Sequence, residues 1–292
     1  MAINKKEFAQ TIKQQIESLE AIPAMPEVAK DLLRLRNNPH ANINTLVAIV
    51  ERDPGLAAQI IRHASSSIFG YGSKIDSIGK AVSLVLGFDM ALHISLGVTT
   101  GKLMKMPAEG RLGRQTFWRH SVYSAQLVQA LGSAMPLESR PQIGLCYLAG
   151  LLHNFGYLLL GHLYPSDFSF LSRFVEQQHT SIADSELHII GVQHQQLGAW
   201  LMTAWGMPEE LVVATSEHHS PYYDGRYSVY SKLVLVADRA LARYSLGDSD
   251  SISLPSEILA SLGLSEENII QNVEKLLGIA PELDSFANQM AA

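Results

Sequence analysis

Among 292 residues there is one cysteine, Cys146, set inside an apolar run, so no disulfide framework supports this fold. Charge is scarce as well. Asp, Glu, Lys and Arg make up 17% of the chain against a usual share of about a quarter, while hydrophobic residues reach 47%. Much of the chain is therefore expected to be interior or interface, and a homo-oligomer is one expected outcome. A basic excess is missing: 22 Lys and Arg are scattered among 28 Asp and Glu, which offers no footprint for nucleic acid. No apolar run reaches the roughly 20 residues of a membrane span. The longest, from Leu145 to Leu160, is interrupted by His153, Asn154 and glycines, and it reads as a buried core helix. Met1 to Glu7 has no apolar core of a secretory signal. A soluble cytoplasmic protein, off the membrane, is the expectation.

Catalytic signatures are thin too. No glycine-rich loop precedes a Lys-Ser or Lys-Thr pair, and Gly70-Tyr71-Gly72 reads as a turn. Gly-x-Ser-x-Gly is absent, and Ser216 near His218 lacks a strand-turn-helix context. Trp118, Trp200 and Trp205 stand at helical spacing among apolar neighbours, which points to core packing rather than base stacking.

What is present is helical periodicity. Alternating strand patterns bounded by hairpin turns are hard to find, so the fold class is all-α. Pro26 to Arg36 and Ile43 to Glu51 read as helices separated by Asn37-Asn38-Pro39. Asp53 can cap a helix from Pro54 to Ser66, and Ser77 another that carries Ala81, Val82 and Val85 and stops at Gly87. The stretch from Met104 to Arg114 reads as a connection. The expected organisation is an N-terminal helix over 1–20, a helical subdomain over 21–105, a second helical subdomain over 106–246 packed on the first, and a C-terminal tail over 247–292. In the second block Thr116 to Leu131 places His120 on an inward stripe. His194 shares a face with Leu197, Leu201 and Trp205 before Gly206. His218 and His219 follow a short helix starting near Pro208, and Asp238 lies in a long helix from Val229 to Tyr244. The tail adds helices near 255–262 and 266–277.

His120, His153, His194, His218, His219 and Asp238 have the order and rough spacing of a metal-dependent phosphohydrolase site. Buried imidazoles and carboxylates are costly unless paired or coordinated, and one ion would satisfy the set together. A buried hydrogen-bond network holding the helices together is the alternative. Asn154 stands beside His153 where such a site needs an aspartate. Its carboxamide oxygen can act as a neutral ligand but cannot bridge two ions well, which favours one ion over two.

Leu151-Leu152-His153-Asn154-Phe155-Gly156-Tyr157-Leu158 resembles the histidine-aspartate signature of the HD superfamily. Ile22-Pro23-Ala24-Met25-Pro26, Glu51-Arg52-Asp53-Pro54-Gly55-Leu56, Arg62-His63-Ala64-Ser65-Ser66, Trp118-Arg119-His120-Ser121 and Trp205-Gly206-Met207-Pro208 are similar, in order, to the HDOD domain. That resemblance runs from Ala21 to Tyr244 and implies a multi-helical HDOD fold with an HD-like core and a bacterial signal-transduction role. Asn154 replaces the family aspartate, and Tyr157 stands where active HD-GYP phosphodiesterases carry a lysine. Ser65 replaces an asparagine common in HDOD domains. The resemblance therefore implies a non-enzymatic regulatory module acting on a signalling protein or small ligand, with a retained ion such as iron, manganese, magnesium or nickel. The alternative is a metal-dependent phosphohydrolase acting on a nucleotide or cyclic dinucleotide, with His120 or Asp238 helping to place water.

Overall fold

Helices begin where short polar side chains precede apolar periodicity. In the computed structural model, which describes residues 10–12, 14, 22–66, 75–108, 110–178 and 181–292, Asp53 accepts from the Leu56 amide at 3.0 Å and Pro54 opens the helix that follows. Asn42 caps the preceding helix through the Thr45 amide at 3.1 Å. These early helices are α1 (Glu27–Arg36), α2 (Ile43–Val50) and α3 (Pro54–Ala64). The expected helix over 1–20 lies outside the described residues apart from helical positions 10–12 and 14. The turn at Gly70-Tyr71-Gly72 lies outside them entirely.

Ser77 caps a short turn, Ile78–Lys80, that runs into π-helical turns over Ala81–Leu86. Gly87, at φ 73°, breaks that run as expected. It does not end the helical segment, because α4 (Gly87–Gly101) starts at the same residue. Every residue from Met90 to Gly101 is buried, so apart from Asp89 and His93 α4 is apolar or small all round and lacks the one-sided stripe that marks a surface helix.

The connection after α4 leads to α5 (Arg114–Ala134), then α6 (Ile143–Leu152) and α7 (Phe155–Leu163). Here the expected single helix from Leu145 to Leu160 is corrected: it is two helices broken at His153 and Asn154. The Gly150 carbonyl, which would accept from Asn154 if α6 continued, accepts the Nδ1–H of His153 at 2.8 Å. The break also lets α7 lie against α10 (His194–Ala204), where a Cβ on Gly156 would collide with the backbone carbonyl of His194. The segments Ile78–Gly101 and Ile143–Leu163 are long and apolar enough to cross a membrane by composition, with 61% and 94% of their apolar windows buried in the fold. Their hydrophobicity is that of core helices.

The remaining helices are α8 (Pro165–Gln178), α9 (Ile182–Ile189), α11 (Glu209–Glu217), α12 (Ser228–Ala242), α13 (Ser256–Leu262), α14 (Glu266–Leu277) and α15 (Ala280–Ala291). Neither α8 and α9 nor the third tail helix, α15, is among the helices expected from periodicity. No strand occurs among the described residues, and the chain is all-α. Helix α5 is the axis: α6, α12, α14 and α15 pack on it, while α4 joins α6 to α1 and α3. Trp118 on α5 is buried edge-on against Phe117 and Phe155. Trp118 and Trp205 are core residues, as their spacing predicts.

Candidate metal centre

The histidines arrive from separate helices and meet through one face of each ring. His120 comes from the middle of α5, His153 from the end of α6, His194 from the start of α10, and His218 and His219 from the end of α11. His153, His194 and His218 are buried to within 1% of complete, and His120 is 6% exposed. Four rings are anchored through Nδ1. His120 Nδ1 lies 2.7 Å from the Leu246 carbonyl, His153 Nδ1 2.8 Å from Gly150 O, and His218 Nδ1 2.8 Å from Thr215 O. His194 Nδ1 lies 2.9 Å from both oxygens of Glu186. A carbonyl oxygen can only accept, so the Nδ1 atoms of His120, His153 and His218 carry hydrogen, and each such ring in its neutral form presents a bare Nε2 lone pair.

Those Nε2 atoms face one another. His120 Nε2 is 3.0 Å from His153 Nε2, and His194 Nε2 is 3.2 Å from the Nε2 atoms of both His218 and His219. Two lone pairs at that distance repel, whereas two nitrogens at about 2.1 Å from a shared divalent ion sit about 3 Å apart at a right angle and about 3.4 Å apart at the tetrahedral angle. The anchoring of each opposite nitrogen on a carbonyl or carboxylate is the outer shell that metal-bound imidazoles take. The residues present thus fit a divalent ion. Two triads have ligand atoms within 4.8 Å of one another: His194, His218 and His219, and His120, His153 and Asp248. The rings of His153 and His218 link them, with centroids 4.9 Å apart.

Five of the sequence-predicted residues therefore converge. Asp238 stands behind them on α12, its Oδ1 accepting from the Asp248 amide at 3.0 Å and lying 4.0 Å from His120 Nε2. Asn154 is buried beside the cluster, its Nδ2 donating to Asp248 Oδ2 at 2.5 Å. Sequence reasoning missed Asp248 and Glu186. Asp248 lies in the tail that follows the recognisable pattern; Glu186, eight residues before His194, was detectable only as a fully buried acid on an amphipathic helix.

Burial sets the protonation of the cluster. It pushes His153 down to about 3, helped by His120, and His219 down to about 4, helped by His194. His218 falls well below the usual imidazole range, for burial first and His219 second. Burial pulls His194 the same way, but the Glu186 carboxylate outweighs it and the net shift is upward. Burial in turn raises Glu186, with His194 opposing. Asp238 is raised well above the carboxylate range by burial and by Asp248, while Asp248 itself is held well below it, the surrounding histidines led by His120 outweighing its own burial.

A pH dependence follows for the metal-free protein. His63, His153 and His219 stay neutral when folded, with values of about 4, 3 and 4, but take protons near the ordinary imidazole value of 6.5 once unfolded. Their stabilisation is complete above about 6.5 and is lost as pH falls toward the folded values, at up to about 1.4 kcal/mol per pH unit for each histidine. After dialysis against a chelator, the urea midpoint is expected to drop steeply between pH 7 and pH 5. A midpoint independent of pH over that interval would contradict neutral burial.

On one side the cluster opens to a cleft of about 680 Å³. His120, Asn154, Tyr157 and Asp248 line it, together with Arg111, Arg119 and the segment from Ser245 to Ser249. Tyr157 is buried, stacks on His194 at 4.1 Å between ring centroids, and has a hydroxyl without a hydrogen-bond partner. His194 and His218 do not line the cleft.

Known proteins share this fold. The structure of a provisionally named signal transduction protein from Marinobacter aquaeolei VT8 superposes with a TM-score of 0.86 at 32% identity, over 99% of this chain and 66% of that one. A provisionally named phosphohydrolase from Shewanella amazonensis SB2B shares the fold, with a TM-score of 0.74 at 18% identity over 94% of this chain and 97% of that one. An uncharacterized Treponema pallidum (strain Nichols) protein is 22% identical over 93% of this chain. The chain spans about half the length of that curated relative, 52%, and just under two thirds of the Marinobacter chain, 66%. The HDOD domain profile matches residues 22–221, more than half the chain and the part that supplies all five converging histidines. This chain therefore belongs to the HDOD domain family.

Proposed function

We propose that this chain is a non-enzymatic signal-transduction module in which an HD-type histidine cluster holds a divalent ion behind a ligand-accepting cleft. The observation that carries this reading is at Asn154. A hydrolytic centre needs a carboxylate at that place to hold metal and activate water, whereas the carboxamide there spends its Nδ2 on Asp248. The five convergent histidines are placed to hold the ion, with Glu186 anchoring Nδ1 of His194. A bound divalent ion supplies positive charge to a core of bare imidazole nitrogens. Tyr157 stacks over His194 at the cleft wall, so a ligand in the cleft meets an aromatic ring and the Arg111 and Arg119 side chains, while His194 itself is screened. Such a cleft suits recognition of a small anionic molecule or of a partner's side chains.

The runner-up reading is a metal-dependent phosphohydrolase, favoured by the five convergent histidines. One assay separates the two. Cyclic dinucleotides, nucleotides and a generic phosphodiester are incubated with metal-loaded protein and with a His153→Ala variant. The module reading expects no turnover above the variant in excess divalent metal; steady turnover that His153→Ala abolishes would establish the hydrolase.

A further inference from the structure

Of three consecutive residues after α12, the outer two reach the histidine cluster and the middle one packs on α12. The Leu246 carbonyl accepts from His120 Nδ1 at 2.7 Å and so sets the direction of that ring. Gly247 passes so close to α12 that a Cβ there would lie 2.6 Å from the Ala242 amide nitrogen and 2.9 Å from Asp238 Oδ1. Any side chain at this position would lift the segment away. Asp248 is pinned from both sides, through its amide to Asp238 Oδ1 at 3.0 Å and through its Oδ2 from Asn154 Nδ2 at 2.5 Å.

What remains is Asp248 Oδ1. It is buried, has no hydrogen-bond partner among the described residues, and lies 3.8 Å from His120 Nε2. Asn154, only 1% exposed, leaves its own Oδ1 buried and unpartnered as well. Leaving two oxygens unsatisfied in a core costs on the order of 1–3 kcal/mol each, and more for the charged one. Next to them are the bare nitrogens of His120 and His153, 3.0 Å apart. Among the described residues neither oxygen receives a hydrogen bond. A cation completes that arrangement.

We propose that Asp248 is the carboxylate ligand of an ion held with His120 and His153, and that residues 246–248 thereby make the C-terminal tail a structural part of the ion site. The proposal rests on the ion-binding reading above and adds to it a ligand from beyond the matched domain. Asp248 supplies the negative charge that Asn154 lacks. The tail beyond it returns to the same helix: on α15, Asp284 pairs with Arg119 at 2.7 Å and accepts from the Tyr123 hydroxyl at 3.1 Å, and Asn288 accepts from Gln115 at 2.9 Å. Arg119 adjoins His120, so ion occupancy and seating of the tail act on one turn of α5. Ser245, Leu246, Gly247, Asp248, Ser249 and Ile252 also line the cleft, which places a cleft ligand in direct contact with this segment.

The test titrates Co²⁺ into chelator-stripped full chain, reading calorimetry and the cobalt d–d absorption of wild type, Asp248→Asn and the exchange variant Asn154→Asp/Asp248→Asn. Asp248→Asn keeps shape and the backbone bond to Asp238, and circular dichroism of the metal-free variants verifies folding. The expected result is roughly hundredfold weaker binding and altered d–d bands in Asp248→Asn, with at least part of the affinity restored by the exchange variant. Hydrogen exchange over 246–291 is expected to slow on cobalt addition in wild type and to stay unchanged in Asp248→Asn. Wild-type cobalt uptake and spectra reproduced by Asp248→Asn would overturn this proposal and leave the ion reading standing; a wild type that takes up no cobalt would end both.

Discussion

Chelation of the metal-loaded protein is expected to lower its melting temperature by on the order of 10 °C. An ion held about a thousandfold below its working concentration stabilises the folded state by about 4 kcal/mol, and a chain of this size shifts by about 2–4 °C per kcal/mol. The molecular origin is specific. Without the ion, the Nε2 atoms of His120 and His153 face each other at 3.0 Å, and His194, raised by Glu186, has one Nε2 proton at most for the Nε2 atoms of both His218 and His219. Hydrogen exchange should accelerate around His120 and His194, because their helices, α5 and α10, lose the point that ties them to α6 and α11. Differential scanning fluorimetry before and after chelation, followed by readdition of Mn²⁺ or Fe²⁺, checks it. A demonstrated holo-protein that melts unchanged after stripping would show the cluster to be held by its Nδ1 anchors alone.

Gly156→Ala is expected to destabilise the chain by about 3 kcal/mol or more and to disturb ion binding with it. Most Gly→Ala changes in a helix are favourable, so the direction here comes entirely from packing. The added methyl group would meet the His194 carbonyl, a backbone atom that cannot rotate aside, and relief requires α7 and α10 to separate. Separation carries His194 away from His218 and His219. Urea denaturation with elemental analysis of the same sample reads both effects; a variant with wild-type midpoint and full metal content would contradict the close packing of these helices.

Much of this site was legible because imidazoles on apolar stripes have few reasons to be there. Helical spacing placed His120 and His194 inward, and a cap at Asp53 or Ser77 needs only three residues of sequence to be recognised. The break between α6 and α7 was hidden for a physical reason. An apolar run buried on every side has no periodic face, so one helix and two helices give the same pattern, and only the competition for the Gly150 carbonyl decides between them. Helix α4 and the tail helix α15 escaped on similar grounds, the first by being apolar all round and the second by lying beyond any motif. Asp248 illustrates the deeper limit. Its role depends on where Gly247 allows the chain to pass, which is a tertiary fact with no local signature.

The bond from His120 to Leu246 spans 126 residues of sequence. Contacts so distant close late, because the loop between them must be ordered first, and chains rich in them fold slowly. On the proposed reading the pocket for the ion is a product of folding and has no counterpart in the early chain: while the polypeptide is being made, α5 through α10 can associate before Asp248 leaves the ribosome. On the proposed reading metal would then enter only after the segment at 246–248 has closed on His120, and a cell short of the ion would accumulate folded chains with an empty histidine cluster.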